Sequence, residues 1–140
     1  MSMNQFRLGN QGDAQRALVL GVDDDEDNLL LLSYALDCLD CDFIGETSGQ
    51  AALLATKTHR PNLILMDVLL SDANGIELVQ ELKRDPHLAQ VPVIAVTGLA
   101  AAENQAELLA AGFIDYISKP YLIDELEAKV RQHLCLPACL

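Results

Sequence analysis

The chain has 140 residues, 51% of them apolar, with no tryptophan and only 4% aromatic residues, which is material for one domain with an aliphatic core. Nine Lys and Arg against 21 Asp and Glu leave a formal net charge of −12. That field repels nucleic-acid phosphates and anionic membranes and favours cations and basic partners, and no apolar run reads as a signal sequence or membrane span, so a cytoplasmic protein is expected.

Residues 1–16 are polar and rich in Asn and Gln, and read as a tail; 135–140 read as a second, shorter one, with a single domain over 17–134 between them. The first predicted strand is Ala17–Val22, followed by a helix over 27–38. That helix carries four leucines in a row, Leu29 to Leu32, and a helical stripe spans only part of the circumference, so at least one, Leu30 by this reading, should face solvent as an ordinary surface residue or a docking patch. Cys38 and Cys41 have CxxC spacing, but they end an apolar helical run where a redox motif would open a helix after a strand. They read as reduced thiols, and nothing near Cys135 and Cys139 activates that pair.

A second strand is predicted over Asp42–Glu46, a helix over 49–58, and a third strand over Asn62–Asp67. A helix over 74–85, a strand over Val91–Val96 and a helix over 100–111 follow; Gly112 stops the last of these. The fifth strand is Phe113–Ile117, and the final helix, 123–134, has Ile123, Leu126, Val130 and Leu134 on one stripe. Strands alternating with helices imply a doubly wound α/β fold, a five-stranded parallel sheet with helices on both faces; near-continuous apolar runs such as Leu63 to Met66 suit central strands covered on both sides.

In such sheets chemistry collects beyond the carboxyl ends of the strands. The first strand runs into Asp23-Asp24-Asp25-Glu26-Asp27, the third ends at Asp67, the fourth runs into Thr97-Gly98 and the fifth into Ser118-Lys119-Pro120. If the first and third strands are neighbours, Asp23, Asp24 and Asp67 converge. Two carboxylates about 4 Å apart repel by roughly 4 kcal/mol at an effective dielectric near 20, so three call for a cation, and all-oxygen ligands suit Mg²⁺ or Mn²⁺. Lys119 adds a charge for a phosphate oxygen, and Thr97 a hydroxyl donor. The set reads as a phosphoryl-transfer site in which Asp67, alone at a central strand end, is the nucleophile. Alone, the acidic run would be a solvated turn and helix cap, which is how Asp25, Asp27 and the loop residue Asp72 are read.

Four pieces in order, Val22-Asp23-Asp24-Asp25, Leu65-Met66-Asp67 with Gly75 eight residues on, Pro92 to Thr97, and Ala111-Gly112 followed by Asp115 to Pro120, resemble response-regulator receiver domains of the chemotaxis Y protein type over about residues 17–134. The resemblance implies a flavodoxin-like strand order 2-1-3-4-5. It also implies that Asp23, Asp24, Asp67 and the Leu69 backbone carbonyl hold Mg²⁺, and that Asp67 accepts the phosphoryl group. Thr97 would turn inward to bond that group, Lys119 would bridge it to the acidic cluster, and Lys119–Pro120 would be a cis peptide. Tyr116 would be a switch aromatic coupled to Thr97. The partners implied are a sensor histidine kinase or histidine-phosphotransfer protein, docking beside the first helix, and a downstream protein target. The chain would act as a single receiver without a DNA-binding output domain, with the receiver portion of a longer regulator as the alternative, and as a monomer or a weak dimer through the fourth helix, fifth strand and fifth helix.

Three positions depart from the family pattern. Ser71 replaces a usual proline and Asn74 a frequent Asp, which should loosen the loop without touching the chemistry; Leu69, with Leu99, gives the site an apolar mouth poor at placing a hydrolytic water, so slow self-dephosphorylation is expected. A phosphatase of the haloacid-dehalogenase type would want an acid where Leu69 stands, and a flavodoxin would want a Ser/Thr/Gly-rich phosphate loop where this chain is rich in Asp.

Overall fold

The structure is a computed structural model that describes residues 16–98 and 105–134. Ten elements alternate: β1 (Ala17–Val22), α1 (Glu26–Leu36), β2 (Cys41–Glu46), α2 (Gly49–His59), β3 (Leu63–Met66), α3 (Gly75–Lys83), β4 (Val93–Gly98), α4 (Gln105–Ala111), β5 (Asp115–Lys119) and α5 (Ile123–Leu134). The five strands form one sheet in the order β2-β1-β3-β4-β5, every pair parallel. This is the doubly wound architecture expected.

Alternation along each strand sorts the core into two layers. Leu18, Leu20 and Val22 of β1 point with Ile64 and Met66 toward α2, α3 and α4, where Ala52, Leu78, Val79 and Leu108 meet them. Val19, Phe43, Leu63, Leu65 and Ile117 point the other way, onto Leu29, Leu32 and Leu36 of α1 and Leu126 and Val130 of α5. Central β3 is buried on both sides, which is why its sequence is continuously apolar.

Two strands are displaced from their expected bounds. β4 starts two residues late because Pro92 has no N–H to give, while its carbonyl accepts from Ile64. β5 starts late because α4 is still being terminated: Gly112 takes φ +128° and the Phe113 N–H bonds back to the Leu108 carbonyl. Of the helix expected over 100–111, the described part is Gln105–Ala111.

The leucine run also comes out differently. Leu29, Leu32 and Leu36 set the buried stripe, Leu30 is half-buried, and Leu31 is the exposed member at 44%. At about 100° per residue Leu31 stands roughly 200° round from Leu29, further from the sheet than Leu30.

The start of β5 is tied to the end of α5 through Asp115, which accepts from Lys129 at 2.9 Å and lies 3.0 Å from His133 Nε2. Burial alone would raise the Asp115 pKa, but the bonds from His133, Lys129 and the Tyr116 N–H outweigh it, and the group is held below the usual carboxylate range. A depressed carboxylate stabilises above its unfolded value, near 3.9, and that contribution is lost as pH falls through the folded value. Asp115→Asn is therefore expected to lose about 0.5–1 kcal/mol at pH 7, a figure kept small by solvent screening. In urea titrations the gap from the parent should begin to narrow below about pH 4 and close as pH falls through the folded value; a gap that does not narrow as the solution is acidified would refute the assignment.

The cysteines within the described residues are free. The Cys38 thiol donates to Glu127, and that bond, with burial, raises its pKa, while burial pushes Cys41 up to about 11. Both are held as thiols, the form that does not attack. Cys135 and Cys139 lie outside the described residues.

Candidate functional site

The parallel register carries four side chains to one edge. Val22 pairs with Met66, so the residues that follow, Asp23 and Asp67, are neighbours, held by Asp23 N–H to the Glu46 carbonyl and Asp67 N–H to the Val22 carbonyl. Thr97 and Lys119 are among the last residues of β4 and β5, with Gly98 opposite Lys119. The Lys119–Pro120 bond is cis, as the resemblance implied.

Asp23 (3% exposed) and Asp67 (9%) are buried, whereas Asp24 is exposed. One carboxylate oxygen from each of the three lies within 4.8 Å of the others. At that separation two unit charges repel by roughly 3.5 kcal/mol at an effective dielectric near 20. Lys119 Nζ answers part of this charge by donating to Asp23 Oδ2 at 2.7 Å and Asp67 Oδ2 at 3.0 Å. Burial alone would lower the Lys119 pKa; the two bonds and charges of Asp23 and Asp67 overcome it and hold the ammonium above its ordinary value. Two anions and one ammonium, with a third carboxylate at the rim, still leave net negative charge, and the donors are all oxygen. That composition fits a hard divalent cation.

The remaining bonds orient the carboxylates. Asp23 Oδ1 accepts from the Asp25 N–H and Oδ2 from the Asn28 amide, while Asp25 caps α1 by accepting from Asp27. Asp67 Oδ1 accepts from the Leu69 N–H at 3.1 Å and from the fully buried Thr97 hydroxyl at 3.2 Å. Asp67 is thus fixed from three sides by Lys119, Thr97 and the backbone of Leu69.

Beside this edge lies a cavity of about 330 Å³, walled by Leu31, Leu32, Val96, Pro120 and Tyr121, with Asp23, Asn28 and Lys119 also lining it. The Leu69 side chain is 66% exposed. Leu99, its expected companion at the mouth, lies outside the described residues. Tyr116 is half-buried on β5 and packed against the α2–α3–α4 core layer.

Two contacts escaped the sequence reading. Asn28 follows Asp23 by five residues, a spacing no helix rule singles out. Asp72, read as a loop residue, accepts from the N–H groups of Gly49 and Gln50 at the start of α2, across 22 to 23 residues of chain. Asn74 caps α3 by accepting from the Ile76 N–H at 2.8 Å.

Comparison with known proteins agrees with this fold. The family described as response regulator receiver domain matches residues 19–131. The chain is 34% identical over 116 residues to the polar-differentiation response regulator DivK of Brucella anthropi, covering 83% of this chain and 94% of that protein. It is 30% identical over 132 residues to a probable cyclic di-GMP phosphodiesterase of Vibrio cholerae, of which it spans only 30%. Among solved structures it is similar to a putative response regulator from Chloroflexus aurantiacus, with TM-score 0.81 and 25% identity over 87% of this chain and 100% of the other. It is also similar to the receiver domain of a Pseudomonas aeruginosa sensor histidine kinase, solved with a magnesium ion in its active-site cleft, with TM-score 0.77 and 26% identity over 86% of this chain and 99% of that one.

Proposed function

The chain belongs to the response regulator receiver domain family of two-component signalling, and from that membership we propose that Asp67 is its phosphoryl acceptor. The observation that carries the reading is the Lys119 ammonium bonded at once to Asp23 and Asp67, beside a third carboxylate. The unit doing this work is residues 17–134.

The donor is a phosphohistidine on a sensor histidine kinase or phosphotransfer protein. An Asp67 carboxylate oxygen attacks phosphorus in line, the phosphorus–nitrogen bond breaks, and the leaving imidazole takes a proton from solvent, so one acyl phosphate replaces one phosphoramidate. Lys119 moves from pairing Asp67 to pairing a phosphoryl oxygen, and Thr97 donates its hydroxyl to another. Asp23, Asp24, Asp67 and the Leu69 carbonyl would hold Mg²⁺ or Mn²⁺, which when bound neutralises charge on the carboxylates and the transferring oxygens. The cavity beside Leu31 and Tyr121 gives the donor's helix an apolar seat next to the acceptor.

Thr97 drawn toward the phosphoryl group would release or recruit Tyr116, three residues before Lys119 on the same strand, and change the face made by α4, β5 and α5. Leu109 and Ile114 are exposed on that face and suit a protein target or a weak dimer contact. No described helix is long and apolar enough to cross a membrane.

The test is intact mass after incubation with acetyl phosphate. The parent should gain one phosphoryl group with Mg²⁺ and none with chelator, and Asp67→Asn should gain none. An adduct that survives in Asp67→Asn would place the acceptor elsewhere. The same adduct tests self-dephosphorylation. With the exposed Leu69 side chain at the mouth, a hydrolytic water lacks a polar anchor, so Leu69→Asn is expected to shorten the adduct lifetime by about tenfold. A lifetime within twofold of the parent's would remove Leu69 from the account.

A further inference from the structure

We propose that Asp72 is a positioning residue for the phosphoacceptor, clamping the loop that follows Asp67 onto the N-terminus of α2; the inference rests on the receiver reading of the site. A helix start leaves its first N–H groups without helical partners. At α2, Ser48 Oγ takes the N–H of Ala51, and the two before it, from Gly49 and Gln50, are taken by the carboxylate oxygens of Asp72 at 2.8 and 3.3 Å. An anion on the positive end of a helix is also favoured by the dipole. The Gly49 bond is the chief cause of the lowered Asp72 pKa, so the clamp is charged at neutral pH.

The clamp matters because the loop behind it is closed. Leu69 bridges to Asn74, the Leu70 N–H bonds to the Ala73 carbonyl, and the Gly75 N–H bonds to the Val68 carbonyl at 2.7 Å. Asp72 sits within that small hairpin, so a force on it is transmitted to Leu69, whose N–H holds Asp67 Oδ1. The fit against α2 is tight: a Cβ on Gly49 would come 2.8 Å from Ala73 Cβ and 3.3 Å from Leu78 Cδ2. Two independent features, a carboxylate reaching across and a glycine that lets the backbones meet, therefore hold one contact. Its function is to keep the Leu69 backbone in register with the carboxylates.

The experiment measures Mn²⁺ binding by calorimetry, together with amide hydrogen exchange of Gly49 and Gln50, in the full chain. Asp72→Ala should weaken Mn²⁺ binding about three- to tenfold and speed exchange at both amides. Asp72→Asn, which keeps one acceptor oxygen, should recover most of the affinity. Gly49→Ala, pushing on the same contact from the other side, should also weaken binding, and adding it to Asp72→Ala should cost less than the sum of the two. Asp72→Ala binding Mn²⁺ within twofold of the parent would overturn the proposal. A parent that binds no Mn²⁺ would overturn the reading of the site itself.

Discussion

Lys119→Met is expected to slow phosphoryl uptake from acetyl phosphate by about a hundredfold or more while leaving affinity for Mg²⁺ equal or higher. The two effects part company because the ammonium has two roles. In the resting site it lies 2.7 and 3.0 Å from Asp23 and Asp67 and offsets their mutual repulsion; during transfer it meets a phosphoryl oxygen. Methionine keeps the length of the stem without the charge. The carboxylates then face one another uncompensated, and removing one partner from so buried a cluster should cost about 2–4 kcal/mol in chelator. Mg²⁺ binds only the folded site, so saturating metal should return much of that loss by mass action. A variant unfolding at the same urea concentration with and without Mg²⁺ would show that the carboxylates do not form one electrostatic unit. The pH dependence adds a check. Because the Lys119 pKa is raised in the fold, its stabilisation is present below the unfolded value near 10.4 and is lost only as pH rises through the higher folded value. The gap between parent and variant should thus stay flat across neutral pH.

The features that define the site were legible because parallel pairing turns a one-dimensional fact into a spatial one. Asp23, Asp67, Thr97 and Lys119 each stand at or beside the end of a strand, and in a parallel sheet all strand ends of one sense share an edge. Strand identity could be read from apolar runs such as Leu63 to Met66, since burial on both faces leaves no alternation to misread. What stayed hidden depends on phase or on distance. Four consecutive leucines carry no periodicity, so only packing against Phe43 and Leu126 decides that Leu31, not Leu30, faces water. The starts of β4 and β5 are set by the backbone bonds that Pro92 and Phe113 make. The Asp72 clamp joins residues more than twenty positions apart, and no local rule of spacing reaches that far.

Gly75→Ala should be the most damaging single methyl in the acceptor loop. A Cβ at this position would come within 2.7 Å of Val68 Cα, 2.8 Å of the Asp67 carbonyl oxygen and 2.9 Å of the Val68 carbonyl oxygen. All three are backbone atoms, so no side chain can rotate away. Either α3 withdraws, breaking the Gly75 N–H bond to Val68, or the backbone of Asp67 itself shifts. Overpacking against backbone should cost about 2–3 kcal/mol, and a shift of the acceptor by about 1 Å should slow phosphoryl uptake by about a hundredfold. Gly112→Ala is the matched control. It is strained too, since Gly112 holds φ +128°, and should cost about 1 kcal/mol, but its neighbour is the side chain of Lys83, at the opposite end of α3 from Gly75, so uptake should be unchanged. If both variants lose stability and uptake in the same proportion, the loss reflects general unfolding and the close approach at Gly75 has no special bearing on Asp67. If uptake falls only in Gly75→Ala, the missing side chain at position 75 is what lets the helix start sit directly beneath the acceptor.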